Sequence, residues 1–292
     1  MSRPPNAVII GAAGRMGRAL VRAGSELRDQ LAITGAIAST SSDSLGRDAG
    51  ELAGIARIDV PVTDDLAAAL ARADVVIDFS QPHATGSNLA VCRAAGKPLL
   101  IGTTGFAADL TSEFDAAAKE IPLLVAPNTS IGVTLLMELT RIAARALPAD
   151  FDIEIVEAHH RMKKDAPSGT ALALGKAAAE GRGAQEDAAA SARARDSQSS
   201  AGAPTARGGA GGFDRTGERT PGSIGYAVIR GGDIVGDHTV LFAGTGEQVT
   251  LGHRATDRAV FARGALRAAL WLARRPPGRY FMRDFMGLKT VT

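Results

Sequence analysis

The chain has 292 residues, 45% of them apolar, and a formal charge of +2. That length predicts two domains of ordinary size, and that apolar content supports real cores and excludes a disordered chain. The balanced charge offers nothing to nucleic acid, and no apolar run reaches the about 18 residues that a membrane span needs. Residues 1–6 run straight into a predicted strand without the apolar region of a signal peptide. Cys92 is the sole cysteine, so no intrachain disulfide can form. Both features fit a reducing cytoplasm.

Residues 7–10 form a short apolar run that reads as a buried parallel strand. Gly11, Ala12, Ala13, Gly14, Arg15, Met16 and Gly17 follow, and residues 18–23 then show a helical pattern. Strand, glycine turn and helix in succession are the setting of a dinucleotide-binding turn. Gly11 allows the tight turn, Gly14 lets a pyrophosphate approach the backbone, and Gly17 lets the helix pack on the strand. The spacing is G-x-x-G-x-x-G, a variant of the commoner pattern, and a plain strand-to-helix turn is the alternative. Residues 33–38 read as the second strand. At its end stand Ser39, Thr40, Ser41 and Ser42, where an NAD-selective site carries a carboxylate. Hydroxyls and loop N–H groups can accept a 2′-phosphate that a carboxylate would repel; a polar turn of no consequence is the alternative.

Strand and helix go on alternating. Residues 74–80, 98–101 and 122–125 read as strands, and residues 84–95 and 106–119 as helices. This repetition predicts a doubly wound parallel sheet, Rossmann-like, whose ligands lie beyond the carboxyl ends of the strands. Gly102, Thr103 and Thr104 occupy one such end, and Ala126, Pro127, Asn128 and Thr129 another, so both are candidates for the nicotinamide end of a cofactor. Residues 131–147 read as a long apolar-rich helix.

The second half centres on one loop. Residues 151–156 alternate as a strand that leads through Glu157 into His159, His160, Arg161, Lys163 and Lys164. Pro167, Ser168, Gly169 and Thr170 then open a helix through residues 171–177. The backbone N–H groups of Ser168, Gly169 and Thr170 are placed to receive an anion, assisted by the helix dipole. A cationic loop beside such a helix start predicts a site for a small carboxylate with an acid catalyst close by; a solvated basic loop is the bland alternative. Metal is not expected, because adjacent His159 and His160 point to opposite faces and no cysteine cluster is present. Residues 181–212 read as low-complexity sequence. Residues 223–230, 237–242 and 247–253 read as strands, so the smaller domain is α+β with a mixed sheet. A final amphipathic helix at 257–272 carries Trp271, read as core packing.

The residues from Gly11 to Gly17, Gly102 to Gly105, Ala126 to Asn128 and above all Glu157 to Ala171 resemble the 4-hydroxy-tetrahydrodipicolinate reductase family, also called dihydrodipicolinate reductases. The resemblance covers nearly the whole chain. It implies a cytoplasmic homotetramer that uses NADPH or NADH to reduce 4-hydroxy-tetrahydrodipicolinate to tetrahydrodipicolinate, with loss of water, in the diaminopimelate route to lysine. It further implies His159 and Lys163 as proton-transferring residues, and His160, Gly169 and Thr170 as contacts to the substrate carboxylates; the reading of the helix start adds Ser168. Gly11 to Met16 become the pyrophosphate loop, and Gly102, Thr103, Thr104 and Ala126 to Thr129 the nicotinamide contacts; Ser39 and Thr40 are placed at the ribose end by the reading of the second strand. The implied domains are a dinucleotide-binding domain at 1–129, a substrate-binding and tetramerisation domain at 130–253, and a segment at 254–292 returning to the first. Three positions depart from the family pattern: Ser39-Thr40 replaces an acidic-basic pair, Thr129 stands where Phe is common, and residues 181–212 are longer than usual. Two rivals are another Rossmann oxidoreductase of amino-acid metabolism, such as a semialdehyde dehydrogenase with a catalytic cysteine, and a regulator that senses NAD(P)H without turnover.

Overall fold

Runs of Val, Ile and Leu without polar alternation suit strands covered on both faces, and the computed structural model builds a parallel sheet from them. It describes residues 3–106, 110–183 and 218–288. The chain begins β1 (Asn6–Ile10), α1 (Arg15–Glu26), β2 (Ala32–Ile37), α2 (Ala49–Leu52), β3 (Val62–Thr63), α3 (Leu66–Leu70), β4 (Val75–Asp78), α4 (Thr85–Ala94), β5 (Leu99–Ile101), α5 (Leu110–Ala117) and β6 (Pro122–Val125). It continues with α6 (Ile131–Ala146), β7 (Asp152–His159), α7 (Gly169–Gly181), β8 (Ile224–Arg230), β9 (Gly236–Gly244) and β10 (Glu247–Ala255). It closes with α8 (Ala259–Leu272), β11 (Gly278–Tyr280) and α9 (Met282–Phe285). Two compact units result: one runs to Ile131 and resumes at Arg258, the other is Gly132–Asp257.

The first unit holds a seven-stranded sheet in the order β11-β6-β5-β4-β1-β2-β3, with every pair parallel. The order reverses between β1 and β4, the switch point at which such sheets bind ligands. Strand residues alternate between two cores. Ala7, Ile9, Val75, Ile77, Leu100 and Leu124 face one core with Leu20 and Val21 of α1 and Leu266 and Leu272 of α8. Val8, Ile10, Val76, Leu99, Ile101 and Leu123 face the other, with Leu70, Leu89 and Phe114 from the helices across the sheet. Each Val, Leu, Ile or Phe among them, fully buried, stabilises the fold by about 1.5–3 kcal/mol. Small residues let α8 lie close: a Cβ on Gly264 would collide with the carbonyl of Thr129. Trp271 is half-buried against the first core, edge-on to Tyr280 at 5.2 Å.

The second unit holds a four-stranded sheet in the order β10-β9-β7-β8. β7 is parallel to β8 and antiparallel to β9, so the sheet is mixed. Ile153, Ile155, Tyr226, Val240 and Phe242 face α6 and α7, which contribute Leu136, Ala171 and Leu174 to one core. The doubly wound sheet and the mixed sheet are thus both present, as the alternating pattern required. β3 and β11 went unread in the sequence, because two and three residues carry no detectable period and are recruited as strands by their neighbours. Of the low-complexity stretch at 181–212, residues from 184 on lie outside the described residues, as do 107–109 of the helix expected at 106–119.

One buried carboxylate organises the loop between β2 and β3, which carries Ser39 to Ser42. Asp48, 4% exposed, accepts the backbone N–H groups of Gly50 at 2.8 Å, Glu51 at 3.2 Å, Ile58 at 3.1 Å and Val60 at 3.1 Å. Burial alone would raise its pKa; those four donors outweigh it and the net direction is down. Asp48→Ala removes the cap of α2 and strands buried donors, so it should destabilise the protein by about 2–4 kcal/mol. Denaturant unfolding of the two proteins checks this; a loss under about 0.5 kcal/mol, the range of ordinary surface changes, would contradict it.

Candidate active site

The glycine turn sits at the switch point. Gly11 takes φ +80, where a side chain is strained, and a Cβ there would stand 2.5 Å from the carbonyl oxygen of Phe79. The N–H groups of Gly11 and Ala12 both donate to the Ile37 carbonyl at 2.9 Å, which ties the turn to the end of β2. A Cβ on Gly17 would collide with the Gly11 carbonyl, so glycine is needed for α1 to start where it does. Gly14 is the N-cap of α1 and supplies no side-chain cap, which leaves first-turn N–H groups for a ligand. A cavity of about 350 Å³ opens beside this turn. Gly11, Ala13 and Gly14 form one wall, Ser39, Thr40 and Ser42 a second, and Phe79, Ser80, Gln81, His83 and Asn88 the third. An uncapped helix start and a cavity walled by glycine and hydroxyls fit the pyrophosphate and ribose of a dinucleotide.

Other predicted residues are placed less directly. Ala12 is buried, Met16 packs on the core, and Arg15 is exposed; none of the three lines the cavity. Gly102 lies under the Phe79 ring, which a Cβ would strike. Thr103 is buried with its hydroxyl 3.4 Å from Asp78, and Thr104 is exposed. Ala126 is buried, Pro127 is exposed, and Asn128 accepts the Ser130 N–H at 2.8 Å. Thr129 is buried and gives its hydroxyl to the Phe261 carbonyl at 2.7 Å, so its side chain serves α8. The third wall was missed in the sequence. Its organiser is Asp78, fully buried, which accepts the Ser80 N–H at 2.8 Å and the Asn88 amide at 3.0 Å. A polar residue closing an apolar strand run was the available signal.

In the second unit the cationic loop hangs from the end of β7. Alternation puts Glu157 and His159 on one face of that strand, and His159 Nδ1 lies 2.6 Å from Glu157 Oε2. The parallel register with β8 brings Arg230 alongside, and its guanidinium grips both Glu157 oxygens at 2.8 Å. Glu157 Oε1 also accepts the Ser168 N–H at 2.9 Å. Ser168 is the N-cap of α7, its Oγ accepting the Ala171 N–H at 3.2 Å and lying 3.0 Å from His238 Nε2. His238 faces Glu157 from β9, with its ring 5.1 Å from that of His159. Gly169 is exposed, and a Cβ there would meet nothing within 4 Å. Thr170 and His160 are half-buried. Lys163 is partly shielded and donates to Asp165 at 2.8 Å, whereas Lys164 is exposed. The loop itself is pinned by the Gly231 N–H on the His159 carbonyl at 3.0 Å and the Arg161 N–H on the Gly232 carbonyl at 3.2 Å. Glu157, Arg230 and His238 were not among the predicted site residues, because their roles depend on strand register.

The electrostatics follow from burial and donors. Burial would raise the Glu157 carboxyl, but donation from His159, Arg230 and the Ser168 N–H takes it down to about 2. Burial, reinforced by the nearby His159, pushes His238 down to about 4. For Asp165 burial acts upward, and the Lys163 ammonium brings the net direction down. Cys92 is buried, and burial followed by the charge of Asp78 pushes its thiol up to about 12, so it cannot be the nucleophile that a semialdehyde dehydrogenase needs. No group of His, Cys, Asp and Glu able to hold a metal occurs among the described residues.

A switch-point glycine turn in a parallel sheet, in a chain that also presents His, Lys and an open helix start, defines a dinucleotide-dependent oxidoreductase acting on an anionic substrate. Profiles described as "Dihydrodipicolinate reductase, N-terminus" and "Dihydrodipicolinate reductase, C-terminus" match residues 6–129 and 132–286. The chain belongs to the dihydrodipicolinate reductase family, and is accordingly an NAD(P)H-dependent oxidoreductase of lysine and diaminopimelate biosynthesis. It is 52% identical over 280 residues to the 4-hydroxy-tetrahydrodipicolinate reductase of Alkalilimnicola ehrlichii, covering 96% of this chain and 98% of that one. It is 48% identical over 288 residues to that of Ruegeria pomeroyi, covering 99% and 100%. The fold is similar to a dipicolinate-bound dihydrodipicolinate reductase from Paenisporosarcina sp. TG-14, with a TM-score of 0.72, 24% identity and coverage of 96% and 98%.

Glu157 and His238 make stability depend on pH in the same sense. The Glu157 pKa is lowered in the fold, so its contribution is complete above the ordinary 4.5 and is lost as pH falls toward about 2. His238 is also lowered; the unfolded chain binds its proton from 6.5 downward while the folded one resists until about 4. His253, lowered by burial, acts alike. The urea midpoint should therefore fall as pH is taken from 7 to 4, and His238→Gln should flatten part of that slope. A midpoint that stays level over this range would contradict the assignment.

Proposed function

We propose that this chain reduces 4-hydroxy-tetrahydrodipicolinate to tetrahydrodipicolinate with loss of water, using NADPH or NADH. The observation that carries this reading is the open start of α7 beside a pinned loop holding His159, His160 and Lys163. The N–H groups of Gly169 and Thr170 receive one substrate carboxylate, with Ser168 as their cap and the helix dipole assisting. His160 supplies a further donor, and the ammonium of Lys163 supplies positive charge. The bound reduced nicotinamide supplies the hydride. Lys163 and His159 hold and move the protons that the ring nitrogen or neighbouring carbon needs; a positioned acid of this kind contributes ~100–10,000-fold. Lys163 is partly shielded and pairs with the single exposed carboxylate of Asp165 at 2.8 Å, a partner it can exchange for a substrate.

In this reading the first unit is the dinucleotide-binding domain and the second binds substrate. Gly11 to Gly14 take the pyrophosphate, and Ser39 and Thr40 the ribose end. Gly102 to Thr104 and Ala126 to Thr129 border the nicotinamide, Thr129 by its backbone. The second unit also supports assembly as a homotetramer. The sheet face opposite α6 and α7 bears Val156, Ala227, Ile229 and Leu241, and Ile229 is 51% exposed in the single chain. These apolar residues, which share the face with Glu154, Asp237 and Thr239, suit a second copy. A cytoplasmic setting fits a substrate and cofactor of this kind, and no helix among the described residues is long and apolar enough to cross a membrane.

The test is NAD(P)H oxidation followed by absorbance, with substrate generated from pyruvate and aspartate semialdehyde. Turnover that needs the condensation product is expected, and its absence with both cofactors would refute the reading. Lys163→Ala should lower turnover by about 100-fold or more, while Lys164→Ala, altering an exposed side chain, should act mildly. Equal small losses would reduce the loop to general charge.

Cofactor choice is the second test. Ser39, Thr40 and Ser42 line the cavity and bring no carboxylate of their own, although Asp64, just after β3, is in its lining as well. Neutral hydroxyls accept a 2′-phosphate more weakly than a bidentate arginine, so a modest preference for NADPH is expected. Ser39→Asp should move the ratio of kcat/KM values toward NADH by repulsion. A ratio that does not move would show that this loop does not read the ribose.

A further inference from the structure

Glu157 has donors on both oxygens and nothing else. Oε1 accepts from the Ser168 N–H and one Arg230 nitrogen; Oε2 accepts from the other Arg230 nitrogen and faces His159 Nδ1. An ionised carboxylate can only accept. His159 must therefore carry a hydrogen on Nδ1, and the neutral ring keeps its lone pair on Nε2. Nε2 is then the atom that gains and loses a proton. Gly236 keeps space beside it: a Cβ on that residue would stand 3.1 Å from His159 Nε2. The same carboxylate holds the N–H of Ser168, the residue that caps α7 and precedes Gly169. Its counter-ion Arg230 also donates to the Asp165 carbonyl at 2.6 Å, which secures the loop that carries Lys163.

We propose that Glu157 is a positioning residue for the reaction: it sets the tautomer of His159 and ties that ring to the carboxylate-binding start of α7. This rests on the reading of His159 as a proton-transferring group and of Gly169 and Thr170 as carboxylate contacts. The competing description is an ion pair with Arg230 that merely stabilises the fold.

Glu157→Gln separates the two. Both Glu157 oxygens accept from Arg230, so the new amide nitrogen meets a guanidinium donor at either position. At Oε1 it would also oppose the Ser168 N–H, so the Oε2 position toward His159 is the better one, and there it can donate to Nδ1 if the ring hydrogen moves to Nε2. The full-length protein, labelled with 15N-histidine, should show an Nδ1-protonated His159 ring in the wild type and lose that signal in Glu157→Gln. Turnover should fall by about 100-fold, the scale for removing the partner that orients a functional histidine. Affinity for pyridine-2,6-dicarboxylate should fall as well, because the cap of α7 loses an anchor. The double variant Glu157→Gln with Arg230→Met removes the half-buried guanidinium that has lost its carboxylate, so thermal stability should recover while the ring signal and turnover do not. Wild-type turnover and an unchanged ring signal in Glu157→Gln would overturn the proposal, as would recovery of turnover together with stability in the double variant. A wild type that turns over no substrate would refute the functional reading instead, and the ring signal would still decide whether Glu157 governs His159.

Discussion

A carboxylate with almost no contact with water must be surrounded by donors or give up its charge, and Glu157 is 1% exposed. Desolvating such an ion takes several kcal/mol, which only excellent geometry offsets. Four donors around one carboxyl group provide that geometry, and they come from β7, β8 and the start of α7. The chain is thereby forced to bring the His159 ring, the Arg230 guanidinium and the Ser168 cap to a single point. The loop between them, with His160 and Lys163, inherits its place from that requirement. His238, held neutral by burial, completes the enclosure from β9.

The first unit solves its own loop problems by the same device. Asp48 gathers four backbone N–H groups and so shapes the loop that carries the serines after β2. Asp78 gathers the Ser80 N–H and the Asn88 amide and so shapes the cavity wall after β4. In each case a short acidic side chain at an element's end substitutes for the sheet ladder that the loop backbone lacks. The glycine turn needs no such carboxylate, because the Ile37 carbonyl takes both of its leading N–H groups. Its backbone is left bare at the start of α1, where a carboxylate would oppose a phosphate.

Departures from the family pattern become interpretable on this frame. Thr129 is bonded to the Phe261 carbonyl and packed under Gly264, so the substitution is absorbed by α8. Ser39 and Thr40 stand at the cavity wall, which Asp64 also lines. The lone thiol, Cys92, belongs to the core that includes Leu89 and Phe114 and has no chemistry to offer.

Much of this was legible in the amino-acid sequence, for identifiable reasons. Unbroken apolar runs at β1, β4, β5 and β6 announce strands covered on both faces, and their alternation with helices announces a doubly wound sheet. Gly11, Gly14 and Gly17 mark a turn that side chains would block, and His159, His160, Lys163 and Ser168 to Thr170 stand close enough in sequence to be read as one loop. These signals are local, carried by composition and spacing within a few residues. Only the tertiary structure could decide the rest. Arg230 is 73 residues from Glu157, His238 is 70 from Ser168, and Phe79 lies over Gly102 from a neighbouring strand. Each partnership depends on strand order and register, which place distant residues side by side without leaving a mark on either stretch of sequence. The tautomer of His159 is likewise a tertiary property, since it is set by a carboxylate whose charge depends on donors drawn from three separate elements.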